Sequence, residues 1–188
     1  MIAEEQTFNS IVFSDLNPET RVYEACTFKS CQFSKADLRN LKFIDCQFYE
    51  CDLSMANVVG SRISKCEFVN CKMLGILFDE CNELLFSISA TDCNLSHSSF
   101  QNMHLKKSSF SSCNLTEVDF KNADLSDIKL TGCILSGAVF DNSKLKKVDF
   151  SNCLDFDIDP SRNDIQKAIF SKQNLEGLLR KYDINVVD

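Results

Sequence analysis

Tryptophan is absent from this 188-residue chain, and proline (2), histidine (2) and glycine (5) are scarce. So few glycines leave no Gly-rich loop to cradle a phosphate. Two histidines, His97 and His104, leave no Ser-His-Asp spacing that would join a nucleophile to a base. No run of about 18 apolar residues occurs, so no membrane-spanning helix is expected. The opening MIAEEQTFNS lacks the basic and apolar regions of a secretory signal, and the expected location is cytoplasmic. Positive charge is also short: 20 Lys+Arg against 27 Asp+Glu give −7, which argues against direct binding of nucleic acid or an anionic membrane.

What the chain does have is 16 Phe, 11 Cys and a strict period. From Phe28, large apolar residues fall every fifth position through Phe33, Leu38, Phe43, Phe48 and Phe68 to Met73 and Phe78. A second run goes from Leu95 and Phe100 through Phe120, Leu125 and Phe140 to Leu145 and Phe150. Two residues before each lies a smaller inward position, commonly Cys, Ala or Ser. A period of five fits neither a helix at 3.6 nor a strand at 2.0. It fits a chain that turns a corner every five residues. Cys31, Cys51 and Cys71 lie 20 apart, as do Cys26, Cys46 and Cys66, and again Cys93, Cys113, Cys133 and Cys153. Four sides therefore close one coil. The two runs are offset by two extra residues somewhere in 79–92, and Glu83 should stay off an inward rung. The turn-like 16–20 interrupts the first coil.

Units such as Ala36-Asp37-Leu38, Cys51-Asp52-Leu53, Cys93-Asn94-Leu95, Cys113-Asn114-Leu115 and Ala123-Asp124-Leu125 resemble the pentapeptide-repeat family. The resemblance covers about residues 6–153 and implies an all-β fold, a right-handed quadrilateral β-helix. The expected division is a β-helix over 1–153 and a C-terminal cap over 154–188. The structural rungs are Phe28, Phe48, Phe68, Phe78, Phe100, Phe120 and Phe140, with Cys31, Cys51, Cys71, Cys93, Cys113 and Cys133. A polar side chain on a rung is expected to lack any partner inside.

Repeats are expected to stop after Cys153. Ser171 can N-cap a short helix carrying Leu175, Leu178, Leu179 and Tyr182 at helical spacing, followed by a strand-like 183–187 that includes Ile184. In the topoisomerase-protecting branch of the family a similar module pairs two subunits. The resemblance thus implies a homodimer through these residues.

The odd number of thiols suits a reducing compartment, and their C-x4-C spacing is not that of a structural zinc site. The sequence points to no metal, no cofactor and no catalytic residue, hence to a non-enzymatic protein. Charge is uneven: residues 1–92 carry 14 acidic and 8 basic side chains, residues 93–153 carry 6 and 7. Lys106, Lys107, Lys144, Lys146 and Lys147 fall on one outer face, which reads as basic. Two functions follow as expectations. One is a DNA mimic that binds a type II topoisomerase, gyrase or topoisomerase IV, and protects it from quinolones or a toxin. The other is a scaffold presenting flat faces to some other protein.

Overall fold

The computed structural model describes residues 1–17 and 19–184. The expected strand over 183–187 lies mostly outside them, as does Pro18 of the first turn. Within them, each group of five residues forms one side of a square coil, and coils stack in parallel register. The three-residue strands Ile2–Glu4, Val22–Glu24, Lys42–Ile44 and Arg62–Ser64 form one sheet. A seven-stranded sheet contains Thr7–Asn9, Thr27–Lys29, Gln47–Tyr49, Cys66–Val69, Ile88–Thr91, Ser109–Ser111 and Lys129–Thr131. The other two sides are single bridges, such as Asn94↔Asn114↔Ile134↔Leu154 and Ser99↔Asp119↔Val139.

The corner is made by the residue two after each large rung. Glu50, Lys65, Asn102, Asn122 and Lys147 are among the non-glycine corners in the left-handed region, with φ of 54°, 52°, 59°, 57° and 58°. Each such residue costs about 1–2 kcal/mol relative to ordinary backbone. The stacked coils offset this by holding the corner N–H on a carbonyl of the next coil, as in Glu50 N–H to Val69 O at 2.9 Å and Asn122 N–H to Asp141 O at 2.8 Å.

Inside, all the rungs named above are buried. Rings stack directly along the axis: Phe28 on Phe48 at 4.8 Å and Phe48 on Phe68 at 4.7 Å on one side, Phe78 on Phe100 at 4.7 Å and Phe120 on Phe140 at 5.3 Å on the opposite one. The switch of side coincides with the register break. Pairing runs 20 residues apart up to Gly60 N–H on Glu80 O, and 22 apart once Cys66 faces Ile88. The extra length is taken up around 82–86, where Glu83, Leu84 and Leu85 point outward and Phe86 turns in. Ala90 then occupies the rung after Phe68.

Two expectations need correction. The ladder does not stop at Cys153, because Leu154, Asp164 and Ile169 still pair with Ile134, Lys144 and Asp149. Phe156, Ile158 and Phe170 supply the apolar contacts of that last coil: Phe170 keeps the period and stacks on Phe150 at 5.3 Å, Ile158 falls on the small-rung register, and Phe156 is shifted off it by one. Nor is the interior without polar partners. Ser98 Oγ donates to Met73 O and Ser143 Oγ to Phe120 O, both at 2.8 Å, and Cys46 Sγ donates to Tyr23 O at 3.2 Å. The small rung sits beneath a carbonyl of the preceding coil, so a short donor is satisfied there.

The large and small rungs therefore differ in tolerance. Phe120→Asp should abolish cooperative thermal unfolding, since a carboxylate at that site meets only rings and aliphatic groups. Cys113→Ser, which keeps a donor under Ala90 O, should lose less than about 1.5 kcal/mol in a denaturant titration.

Candidate functional surface

Regular coils turn every outward position into a column, so surface chemistry is set by which side chains recur 20 residues apart. In the first half these columns are rich in unpaired acid. Of the carboxylates before residue 93, only Asp37, Asp45 and Glu83 lie within ion-pair distance of a basic group among the described residues, with Arg39, Lys65 and His104. Arg39 holds the Asp37 carboxyl down to about 2, mainly through its side-chain hydrogen bond. Glu4, Glu5, Glu24, Glu50, Asp52, Asp79 and Glu80 have no such partner there.

The second half behaves differently, and the expected basic face is corrected. Lys106 and Lys144 both approach Asp124 Oδ2, at 3.4 and 3.9 Å. Lys146 pairs with Asp164 at 3.3 Å and Lys147 with Asp127 at 2.9 Å. Of the five lysines only Lys107 lacks a carboxylate partner among the described residues. Asp124 is nearly buried at the centre of this network. Burial pushes its carboxyl up, but hydrogen bonds from Ser126 and the nearby Lys106 leave it below the ordinary value. His104 joins it at 3.8 Å, while its backbone N–H donates to Glu83 Oε1 at 3.0 Å. His97 is exposed beside Glu117 at 3.1 Å. Neither histidine meets a nucleophile.

Exposed apolar side chains occur along the rod, as with Ile134 stacked against Leu154 and Leu84 beside Leu85, and two groups bear on function. Met55, Val59 and Leu77 lie on neighbouring outward positions of stacked coils. The Met55 side chain lies over Gly75, where a Cβ would come within 2.5 Å of its Sδ and push it aside. The second group is at the C-terminal end. Leu175, Tyr182 and Ile184 are exposed, Leu179 is partly so, and Leu178 packs against the core.

The cap itself is two 3-10 helices, Lys172–Leu178 and Arg180–Tyr182. Ser171 occupies the N-cap position but its side chain makes no capping bond. Asn174 does the anchoring. In each coil above, a backbone N–H reaches back to a rung carbonyl, as Leu154 N–H does to Cys133 O at 2.9 Å. One coil further on, the Asn174 side-chain amide takes that role and donates to Phe150 O at 2.9 Å and Cys153 O at 3.3 Å. Gly177 lies flat on Phe156 and accepts from Ile158 N–H at 2.9 Å, leaving no room for a Cβ. Lys181 bonds Asp159 and Ser161. None of these was evident from sequence, although Asn174 stands 20 residues after Leu154, where the next rung of that column belongs.

No curated protein matches the sequence. The family profile described as pentapeptide repeat region matches residues 85–157 and 103–178, and that of pentapeptide repeats in eight copies matches residues 31–70. Among solved structures, a trypsin-treated variant of QnrB1, a plasmid-mediated fluoroquinolone resistance protein, is similar with a TM-score of 0.59 at 24% identity, covering 97% of this chain and 99% of that one. Full-length QnrB1 gives 0.56 at 21% identity, covering 98% and 100%. HetL, a pentapeptide repeat protein involved in heterocyst differentiation regulation from the cyanobacterium Nostoc, gives 0.40 at 16% identity, covering 91% and 85%. The likeness to QnrB1 shows a shared fold.

Two measurements test the cap. Gly177→Ala must displace Phe156, and should lower stability by about 1–3 kcal/mol in a thermal melt. Lys181 and Ser161 hold the Asp159 carboxyl down to about 2 from an ordinary 3.8. A carboxyl so depressed stabilises the fold above pH 4 and loses that contribution as pH falls through 2. Cleavage after Lys172 or Arg180 by an acid-tolerant protease should accelerate over that window, and Lys181→Ala should bring the acceleration to neutral pH.

Proposed function

The chain belongs to the pentapeptide-repeat family, and from that membership we propose that it is a non-enzymatic, cytoplasmic DNA mimic that binds a type II topoisomerase. The target is DNA gyrase or topoisomerase IV, and the consequence is protection against quinolones or a topoisomerase toxin. The carrying observation is the concentration of carboxylates on the first-half columns that have no ion-pair partner among the described residues, including Glu4, Glu24, Glu50, Asp52, Asp79 and Glu80. Glu4 stacks directly on Glu24 at about 4.8 Å, while the others stand among mostly neutral neighbours, with Asp52 between Gln32 and Lys72, so the half presents patches of negative charge. Such patches compete for a groove built to hold phosphates, and they speed encounter at low salt. The self-neutralised second half contributes little to that field, so the mimicking end is the N-terminal one. Similarity in fold to QnrB1, over nearly the whole of both chains, supports the same reading.

A homodimer through the C-terminal module completes the proposal. Leu175, Tyr182 and Ile184 leave apolar area uncovered at that end, with Leu178 and Leu179 beneath them. A two-fold pairing there would place the acidic halves at the two outer ends of a longer rod.

A second reading has its own observation. The exposed Met55, Val59 and Leu77 patch is apolar, as a docking surface for an unrelated protein would be. In that case the protein is a general interaction scaffold.

A gyrase supercoiling assay with purified protein, with and without ciprofloxacin, separates the two. The mimic inhibits supercoiling or rescues it from the drug at micromolar concentration. Reversing Glu50 and Asp52 to Lys should weaken the effect at least tenfold, and added salt should weaken it in the wild type. No effect on gyrase, nor on topoisomerase IV in a parallel decatenation assay, at that concentration rejects the mimic and leaves the scaffold. Light scattering should return twice the 21.3 kDa chain mass, and Leu175→Glu with Tyr182→Glu should halve it.

A further inference from the structure

Three polar side chains near the N-terminal end occupy places that break the rule of the rest of the axis. Arg21 precedes Leu41, Ser61 and Cys81 in a small-rung column, and its C=O accepts from Lys42 N–H at 2.9 Å just as Leu41 O accepts from Arg62 N–H. Tyr23 precedes Phe43 in a large-rung column and stacks on that ring at 5.2 Å. Thr20 holds a corner position that is exposed at Asn40, Gly60 and Glu80, yet it is only 8% exposed.

These side chains meet at a break in the wall. Where a second side would close the first coil, residues 16–20 form a turn in which Thr20 N–H donates to Asn17 O at 3.0 Å. A cleft of about 530 Å³ opens beside it, a volume in the range of small-molecule sites. Phe13, Leu16 and Leu41 give it apolar walls, and Thr20, Arg21 and Tyr23 supply polar groups.

Those polar groups are unspent. The Tyr23 side chain is 2% exposed, and neither its hydroxyl nor that of Thr20 makes a hydrogen bond among the described residues. Neither hydroxyl is sealed from solvent, so both open on the cleft they line. Ser98 and Ser143, polar rungs deeper in the axis, are by contrast bonded to Met73 O and Phe120 O. Burial pushes the Tyr23 hydroxyl above its ordinary value, with Cys26 adding to this and Arg21 opposing it, so it stays a proton donor. Arg21 has no carboxylate partner among the described residues, whereas Arg39 at the rim is held by Asp37 at 2.8 and 2.7 Å.

The cleft thus carries one free cation, two hydroxyl donors and apolar walls. We propose that it binds a small organic carboxylate bearing an apolar ring, with the carboxylate on Arg21 and Tyr23 and the ring against Phe13, Leu16 and Leu41. The planar fork of a guanidinium matches two carboxylate oxygens. One guanidinium balances one negative charge in full, which favours a monoanionic carboxylate over a phosphate dianion. Such binding requires neither the acidic columns nor a dimer, and it goes beyond the topoisomerase reading.

2-Naphthoate is the probe, titrated into the full-length protein by calorimetry beside its uncharged isostere 2-naphthamide and the dianion 2-naphthyl phosphate. Naphthoate should saturate one site per chain at submillimolar concentration and raise the melting temperature, because a ligand of the folded state stabilises it. The amide and the phosphate should each bind about tenfold more weakly. Arg21→Gln should lose about tenfold for naphthoate and little for the amide, and Tyr23→Phe should lose about threefold for naphthoate. Arg21 is exposed and phenylalanine already serves on the next rung at Phe43, so both variants should fold, which circular dichroism checks. Lys107→Gln, which removes a lysine with no carboxylate partner among the described residues, should bind as the wild type does. No saturable binding at millimolar naphthoate, unchanged affinity in Arg21→Gln, or equal loss in Lys107→Gln overturns the site. Tighter binding of the phosphate overturns the carboxylate. Should a variant not fold, the wild type decides: equal affinity for acid and amide also overturns the proposal.

Discussion

Everything in this molecule depends on one interaction, the backbone hydrogen bond from one coil to the next. Asn94, Asn114, Ile134 and Leu154 N–H groups reach the carbonyls of Cys71, Cys93, Cys113 and Cys133 at 2.9–3.0 Å, one after another down a single side. The same bond recurs on the other three sides, so the coil cannot widen or narrow without breaking several bonds at once. That constraint explains the corners. Glu, Lys and Asp enter the left-handed region not because their side chains favour it but because a square of fixed perimeter demands a sharp turn there. Where the ladder itself shifts, around 82–86, the corner rhythm changes, with Leu85 taking the left-handed turn at φ 64° and Asp92 the next at φ 53°.

The interior follows from the same spacing. An aromatic ring is about as thick as it needs to be to stack at the coil repeat, so Phe on Phe fills one side with no gap. Rings also fill adjacent sides, where Phe43 stacks on Tyr23 and meets Phe28 and Phe48 edge-on, and leucine shares columns with phenylalanine, as Leu130 does with Phe110. The small rung has a separate duty. It lies under a carbonyl, and cysteine, the residue of right volume with a weak donor, recurs there because it satisfies packing and polarity together. Serine does the same with a shorter bond and alanine with none. Bulk is what the position refuses.

Legibility in the sequence tracks this hierarchy. Phe28, Phe48 and Cys31, Cys51 announced the axis, the four sides and the coil length, because burial on a fixed period writes itself into residue type. Even the two-residue break was legible, since a strict period makes any slip visible, and Glu83 is indeed outside. What stayed hidden depends on side-chain reach rather than on period. Lys144 and Asp124 are 20 apart, yet opposite charge in one column could be read only once the column was known, and the lysines looked like a basic face. Asn174 was hidden for a related reason. Its side chain imitates a backbone group, and nothing in composition marks an asparagine as a substitute for a peptide N–H. Gly177 carries no pattern at all; it is there because Phe156 is.

The two ends of the surface show how a solenoid decides whether it has an external field. A column that alternates sign every coil, as Asp127 with Lys147 and Asp124 with Lys144 and Asp164 do, cancels its charge within one coil spacing of about 4.8 Å, well inside a Debye length of about 8 Å, and presents almost nothing to a distant partner. A column that repeats acid, or sets it beside neutral residues, cannot cancel and projects its charge outward. Glu4 stacked over Glu24 is of the second kind. The repeat converts a local choice at one outward position into a line of field along the rod, so the functional identity of such a protein lies in the residues its fold constrains least. Two chains can share every rung and still differ wholly in partner, because rungs carry the coil and only the columns between them meet anything else.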